Sequence, residues 1–473
     1  MNQKRKTMNT KIKILLVTIV TMVFMSCSED LDISPITQKS AGNFFSTEQE
    51  IETAIYGVYA QLQNDGLYGL DIIGVGEIPG EDTFEEIAAN DGGRFGQLDD
   101  FSTNASNDLV GDIWRESYEG IQRVNVVLNR IEQITFAEAS TKSSRIGELQ
   151  FVRALLYFNL VRLYNDVPLV TEETTNPSNF FGQGRTPASE VYTQIETDLE
   201  EAIQNLPVAK SSGRPAKGAA QALLADVQMN QGKYGAAATN LAAVISSGEY
   251  RLMPSTSLIF GEANEGNEEI LFEVQYASGL NGNSEGEKSA SQFRPSGTTA
   301  NAKGHNLPSA QFVSLYQVDD TRQNDYVGLE ASANPFYFSL KYEVSATGAN
   351  DGGTDHIVIR YADVLLKYAE ALNESEGSNP EQYLNMVRNR AGLLNTTATT
   401  REELRDAIEM ERRLEFIGEG HRWFDLKRTG KAVQTMNSWF TAEDKNVTID
   451  ENDLFLPIPQ SQIDTDPAIT QNP

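Results

Sequence analysis

Apolar residues recur three or four positions apart through most of this chain. In residues 148–164, "ELQFVRALLYFNLVRLY", Leu149, Val152, Leu156, Leu160 and Leu163 fall on one face of a helix. In "RYADVLLKYAEALNE", residues 360–374, Leu365, Tyr368, Ala369 and Leu372 do the same. Residues 190–207 form another amphipathic segment, stopped at Pro207. A further helix runs through "REELRDAIEMERRLEFIGEG" and ends near Gly418.

The predicted helices come in pairs: 47–63 with 112–134, 144–164 with 187–206, 215–231 with 234–246, and 359–374 with 380–392. The third pair is rich in small residues around a Gly-Lys-Tyr turn at 232–234, which suits close helix packing. Its length is near the roughly 34 residues of a tetratricopeptide repeat. The expected fold is mostly α, built from such pairs.

Two regions break the period. Residues 64–107 are rich in Gly, Asp and Asn, and 247–356 are loop-like with a strand candidate at 269–277, "EILFEVQYA". Both hold aromatics, which disordered linkers seldom do. The regions therefore read as ordered surface loops on a helical frame, the kind of long loop that carries function.

The N-terminus changes the picture. Five basic residues (Lys4, Arg5, Lys6, Lys11, Lys13) precede an apolar or neutral run at 14–25, and small Ser26 precedes Cys27, the single cysteine. This is the three-part plan of a secretory signal, with an apolar run too short to span a bilayer comfortably. A cysteine directly after the small residue resembles a bacterial lipoprotein signal, so Cys27 is the expected lipid-attachment residue and 1–26 the signal peptide. A lone cysteine also excludes internal disulfides and thiolate clusters.

The net charge of −29 argues against nucleic acid and anionic headgroups, both of which select cationic surfaces. Apolar and charged fractions of 40% and 22% are those of a globular protein.

Catalytic signatures are weak. "GNSEG" at 282–286 matches G-x-S-x-G, yet Ser284 lacks the strand before it and the helix after it that a nucleophile elbow needs. His305, His356 and His421 show no zinc-type spacing. "NDGG" occurs at 90–93 and 350–353; tight turns are one reading and calcium loops the other, though neither has the alternating acids and terminal Glu of a calcium loop. No cofactor is expected.

The C-terminal third carries a specific resemblance. "RYADVLLKYAEALNE", "YLNMVRNRAGL" (383–393), "AIEMERRLEFIGEGHRWFDLKRTG" (407–430) and "LFLPIPQSQIDTDPAITQNP" (454–473) are similar, in sequence and in order, to the SusD/RagB family. So are "NFFSTEQEIETAIYGVYAQLQ" (43–63), "DIWRESYEGIQRVNVVLNRI" (112–131) and "FVRALLYFNLVRLYNDVPLV" (151–170).

The resemblance implies a non-catalytic lipoprotein on the extracellular face of the outer membrane. It would bind an oligosaccharide or polysaccharide and cap a SusC-type TonB-dependent transporter. The acidic "SEDLD" after Cys27 resembles the export signal of such lipoproteins. The implied fold is a right-handed frame of tetratricopeptide-like helix pairs with loop-rich insertions bearing a few short strands. The implied organisation is one domain over 27–473, with the frame at 41–246 and 357–440 and ligand-binding insertions at 64–107 and 247–356.

Sugars offer C–H faces to aromatic rings and hydroxyls to charged or amide groups. The resemblance places binding on the two insertions, where the candidates are Tyr68, Asp82, Phe84, Arg94, Phe95, Phe101, Tyr276, Phe293, Arg294, Phe336 and Tyr337. Neither region contains Trp, a departure from the starch-binding type. A peptide-binding RagB-like protein is the alternative, and a glycosidase or esterase the rival from another class. The charged string around Trp423 (Arg412, Arg413, Glu415, Glu419, Arg422, Asp425) reads as a buried ion network, and Trp114 as core.

Overall fold

A computed structural model describes residues 44–473 apart from 212, 281–284, 332–334 and 344–347. Cys27 and Ser284 lie outside the described residues. The chain divides into two units, Met1–Ile51 and Glu52–Pro473. The first contributes to the described part only 44–51, including the start of the helix Glu48–Leu62. The second holds the helix pairs and both insertions.

Three of the four predicted helix pairs form, whereas the helix predicted at 112–134 packs chiefly on Ala139–Tyr164 rather than on Glu48–Leu62. Asp108–Ile131 packs on Ala139–Tyr164, which packs on Ala188–Asn205, then Lys217–Asn230, then Tyr234–Ser247. The row continues from Tyr234–Ser247 directly to Tyr361–Glu374, which contacts both Pro380–Arg390 and Arg401–Glu415. Residues 248–360 thus leave the helical row and return to it. Gly248 ends its helix at φ 72°, a left-handed position that Gly takes without steric cost. Thr400 and Glu403 form a reciprocal capping box that starts Arg401–Glu415.

Ala139–Tyr164 is more deeply placed than its pattern predicts. Almost every residue from Gly147 to Tyr164 is buried, so both faces pack. Its internal charge is matched: Arg153 donates from Nε and Nη2 to Asp198 at 2.8 and 2.6 Å. Trp114 is core, edge-on to Tyr164.

Among the described residues, six short strands lie in or border the two insertions: β1 (Thr83–Phe84), β2 (Ile270–Val274), β3 (Leu307–Pro308), β4 (Val327–Glu330), β5 (Phe336–Ser339) and β6 (His356–Arg360). They pair antiparallel as β1–β3, β2–β6 and β4–β5, with β3 and β5 also in contact.

The first insertion departs from expectation. Residues 66–83 are buried throughout, as a π-helical turn (Asp65–Gly69) followed by the helix Asp71–Glu77. The glycines that made it look like surface loop are packing residues. A Cβ at Gly74 would collide with the Phe95 ring, and one at Gly76 with the Gly420 backbone.

The C-terminal charges form a buried network. Glu415 is reached by Arg322, Arg360 and Arg390, and Glu419 by Arg360 and Lys341. Burial raises the Glu415 carboxyl, and Arg390, Arg360 and Arg322 more than reverse this, holding it far below the usual carboxylate range. Arg412 bridges Asp363 and Asp425, and Arg413 and Arg422 reach back to Glu81.

Candidate ligand-binding site

The structure sorts the predicted site residues into interior and surface. Tyr68, Phe95, Tyr276 and Phe293 are each no more than 6% exposed, so none offers a ring to a sugar. The Tyr68 hydroxyl accepts from Asn159 Nδ2 at 2.9 Å, and burial pushes it up to about 12. Phe95 packs 4.6 Å from the His305 ring. The Tyr276 backbone N–H donates to Asp355.

The charged candidates divide likewise. Asp82 is buried and accepts from Arg413 Nε at 2.7 Å. Arg94 bridges Asp71 and Asp112, with Nη1 2.9 Å from Asp112 Oδ2. Half-buried Phe101 packs edge-on against Trp423 and Phe440 in the C-terminal cluster. These residues hold the fold together because each found partners that local sequence does not display.

Phe84, Arg294 and Phe336 are different. β1 carries Phe84 beside β3, and β3 meets β5, which carries Phe336. The two half-buried rings lie 6.3 Å apart at 43°. Side chains alternate along β5, so Phe336 shares a face with Phe338, while Tyr337 turns to the opposite face and packs partly buried on the apolar cluster around Phe312 and Tyr326. The Arg294 guanidinium sits 4.0 Å over the Phe338 ring. Gly328, whose Cβ would collide with that ring, lets Phe338 lie against β4.

Arg294 is the polar element of this patch. Its Nε has no hydrogen-bond partner among the described residues. Burial lowers its pKa and the charge of Glu330, opposite Phe336 in the ladder, counters this. Two aromatic rings, a guanidinium and a carboxylate stand together: apolar surface for a sugar face beside groups for hydroxyls.

The insertions are stapled beneath the patch. His305 is fully buried, with Nδ1 2.7 Å from Glu85 Oε2 and Nε2 3.1 Å from Asp91 Oδ2. Glu86 N–H donates to Gly304 O at 2.9 Å, and Ser296 N–H to Glu86 Oε2 at 2.7 Å. Burial raises the Glu85 carboxyl. Sequence reasoning missed His305, Glu330 and Phe338. The alternation in "FYFS" was a usable signal for Phe338; nothing local pointed to His305, whose partners lie over 200 residues away.

The NDGG segments act as turns. Asp91, Gly92 and Gly93 have φ of 48°, 72° and 82°, and the Asp91 carboxylate is engaged by Lys303 and His305. Asn350 has φ 58°, and Asp351 accepts from Gly279 N–H. Among the described residues, no three Asp, Glu, His or Cys side chains are grouped as a metal would need.

The same fold occurs in known proteins. Two family models match: the SusD family over residues 324–473, and "Starch-binding associating with outer membrane" over 31–229. The chain belongs to the SusD/RagB family. A SusD-like protein of Formosa agariphila, P2, is 28% identical, covering 87% of this chain and 89% of its own. A solved laminarin-binding SusD-like protein is 29% identical with TM-score 0.77, covering 90% of this chain and 99% of its own. A solved SusD superfamily protein from Parabacteroides distasonis is 26% identical with TM-score 0.78, covering 89% and 98%. The tetratricopeptide-like frame is therefore a SusD fold, and the Phe84–Phe336 patch joins its two insertions.

Proposed function

We propose that this SusD-like protein is a non-catalytic glycan-binding lipoprotein, anchored through Cys27 on the outer face of the outer membrane. It captures oligosaccharide or polysaccharide and passes it to a SusC-type TonB-dependent transporter. The observation that carries this reading is the half-exposed pair Phe84 and Phe336 with Arg294 beside them, in a family whose solved relatives include a laminarin-binding protein. Stacking supplies orientation-tolerant contact for a sugar ring, and Arg294 and Glu330 supply donor and acceptor for its hydroxyls.

The test is affinity electrophoresis of residues 28–473 through gels containing single polysaccharides, with product analysis of the same mixtures. Retardation by one glycan class without degradation supports capture. Released product overturns the non-catalytic reading. Binding of peptides with no glycan retardation overturns the ligand class.

A further inference from the structure

A second concave surface stands apart from the Phe84–Phe336 patch in its residues. The C-terminal half of the helix Glu48–Leu62, the 213–214 turn and the end of β2 enclose a cleft of about 440 Å³, inside the roughly 300–1,000 Å³ range of small-ligand sites. Tyr56 stands in it 58% exposed. The Arg214 guanidinium lies 5.3 Å from the Tyr56 ring centroid and 5.8 Å from that of Tyr59. Arg214 is in turn held by Glu148 at 2.6 Å and Glu52 at 3.1 Å. Tyr59 is fixed by donating to Glu148 Oε2 at 2.9 Å.

The cleft therefore has a rigid backing and an open ring. Gln275, Glu273 and Glu285 line its remaining wall. The local chemistry selects among ligands. Arg214 and Arg145 share Glu52 and Glu148, so those four charges balance, and Glu273 and Glu285 add acid to the wall, which disfavours an anionic sugar or phosphate. A neutral polyhydroxyl chain suits a tyrosine face ringed by amide and carboxylate acceptors.

We propose that this cleft is a second saccharide site, taking a neutral stretch of the same glycan chain that the Phe84–Phe336 patch holds. This inference rests on the glycan-binding reading above. Two weak sites on one rigid chain engage one polymer with greater avidity than either alone. Hand-over then proceeds by releasing one site at a time.

The experiment compares wild type, Tyr56→Ala, Tyr56→Phe and Phe336→Ala in gels of laminarin, amylopectin, levan or xylan. With the polymer that retards wild type, Tyr56→Ala should bind roughly tenfold more weakly, and Tyr56→Phe, which keeps the ring, close to wild type. Far-ultraviolet circular dichroism and melting of Tyr56→Ala should match wild type, since the ring is exposed. If Tyr56→Ala and wild type are retarded equally, the second site is overturned and the glycan-binding reading stands. If no polysaccharide retards wild type, the glycan-binding reading itself falls, and this one with it.

Discussion

Arg360 grips Glu419 through two parallel hydrogen bonds, Nε to Oε2 and Nη2 to Oε1, both 2.8 Å, in the interior. Arg360 ends β6 and opens the helix Tyr361–Glu374, whereas Glu419 follows the helix Arg401–Glu415. The pair thus ties the point where the second insertion rejoins the helical row to the C-terminal helices. Glu269, on the far side of that insertion, reaches the same guanidinium at 3.0 Å.

Replacing Arg360 leaves Glu415, Glu419 and Glu269 short of countercharge in a buried setting. Arg360→Met should lower the unfolding free energy by about 3–5 kcal/mol, the usual cost of breaking a buried pair from one side. Urea denaturation followed by circular dichroism checks this. A loss below about 1 kcal/mol would mean that Arg390 and Lys341 satisfy the acids without Arg360.

Phe336→Ala removes one face of the candidate sugar platform while its neighbours Phe338 and Ser339 stay buried. Glycan retardation should be lost or fall by about 1–3 kcal/mol in binding energy, as for a hot-spot aromatic. Melting temperature should change little. Phe84→Ala should behave alike, because the two rings are adjacent. Unchanged binding in both variants would move the ligand elsewhere on the protein.

His305 holds Glu85 and Asp91 from the first insertion against the second. His305→Ala leaves the buried Glu85 carboxyl without that partner, at a cost of about 1–3 kcal/mol. Hydrogen exchange should quicken in 84–94 and 294–305, and glycan affinity should drop although His305 lies beneath the patch. Exchange rates equal to wild type in both segments would show that the backbone bonds alone suffice.

Glu77 gives a pH prediction. Burial raises its carboxyl from 4.5 to about 8, partly opposed by the backbone N–H groups of His421 and Gly420, 3.1 and 2.9 Å from Oε1. A group whose folded pKa is raised stabilises fully below its unfolded pKa and loses that contribution as pH rises through the folded value. The window here is 4.5 to 8. Glu77→Gln keeps the acceptor oxygen and removes the titration. The difference in stability between variant and wild type should therefore shift in favour of the variant by about 4 kcal/mol between pH 5 and pH 9. A difference constant across that range would show that Glu77 titrates normally.

The helices were legible because their signal is local. The spacing of Leu149, Val152, Leu156, Leu160 and Leu163 depends on 3.6 residues per turn and on nothing distant. The charged string around Trp423 was readable as a network for a related reason: so many acids and bases on short helices must be paired if they are buried. Which partners they take was not readable. Arg322, Lys341 and Glu269 come from a region that looked like loop.

The sequence by itself determined the mostly helical frame, three of its four helix pairs and its family. Only the tertiary structure decided which aromatics of the insertions meet solvent. Composition marks Tyr68, Phe95 and Phe336 alike as rings in irregular segments. Their exposure depends on what packs over them: Asn159 bonds the Tyr68 hydroxyl, His305 covers Phe95, and the β5 position of Phe336 leaves it half-open beside Phe84. Those neighbours are separated from the rings by tens to hundreds of residues, and burial is a sum over spatial neighbours that no local window contains.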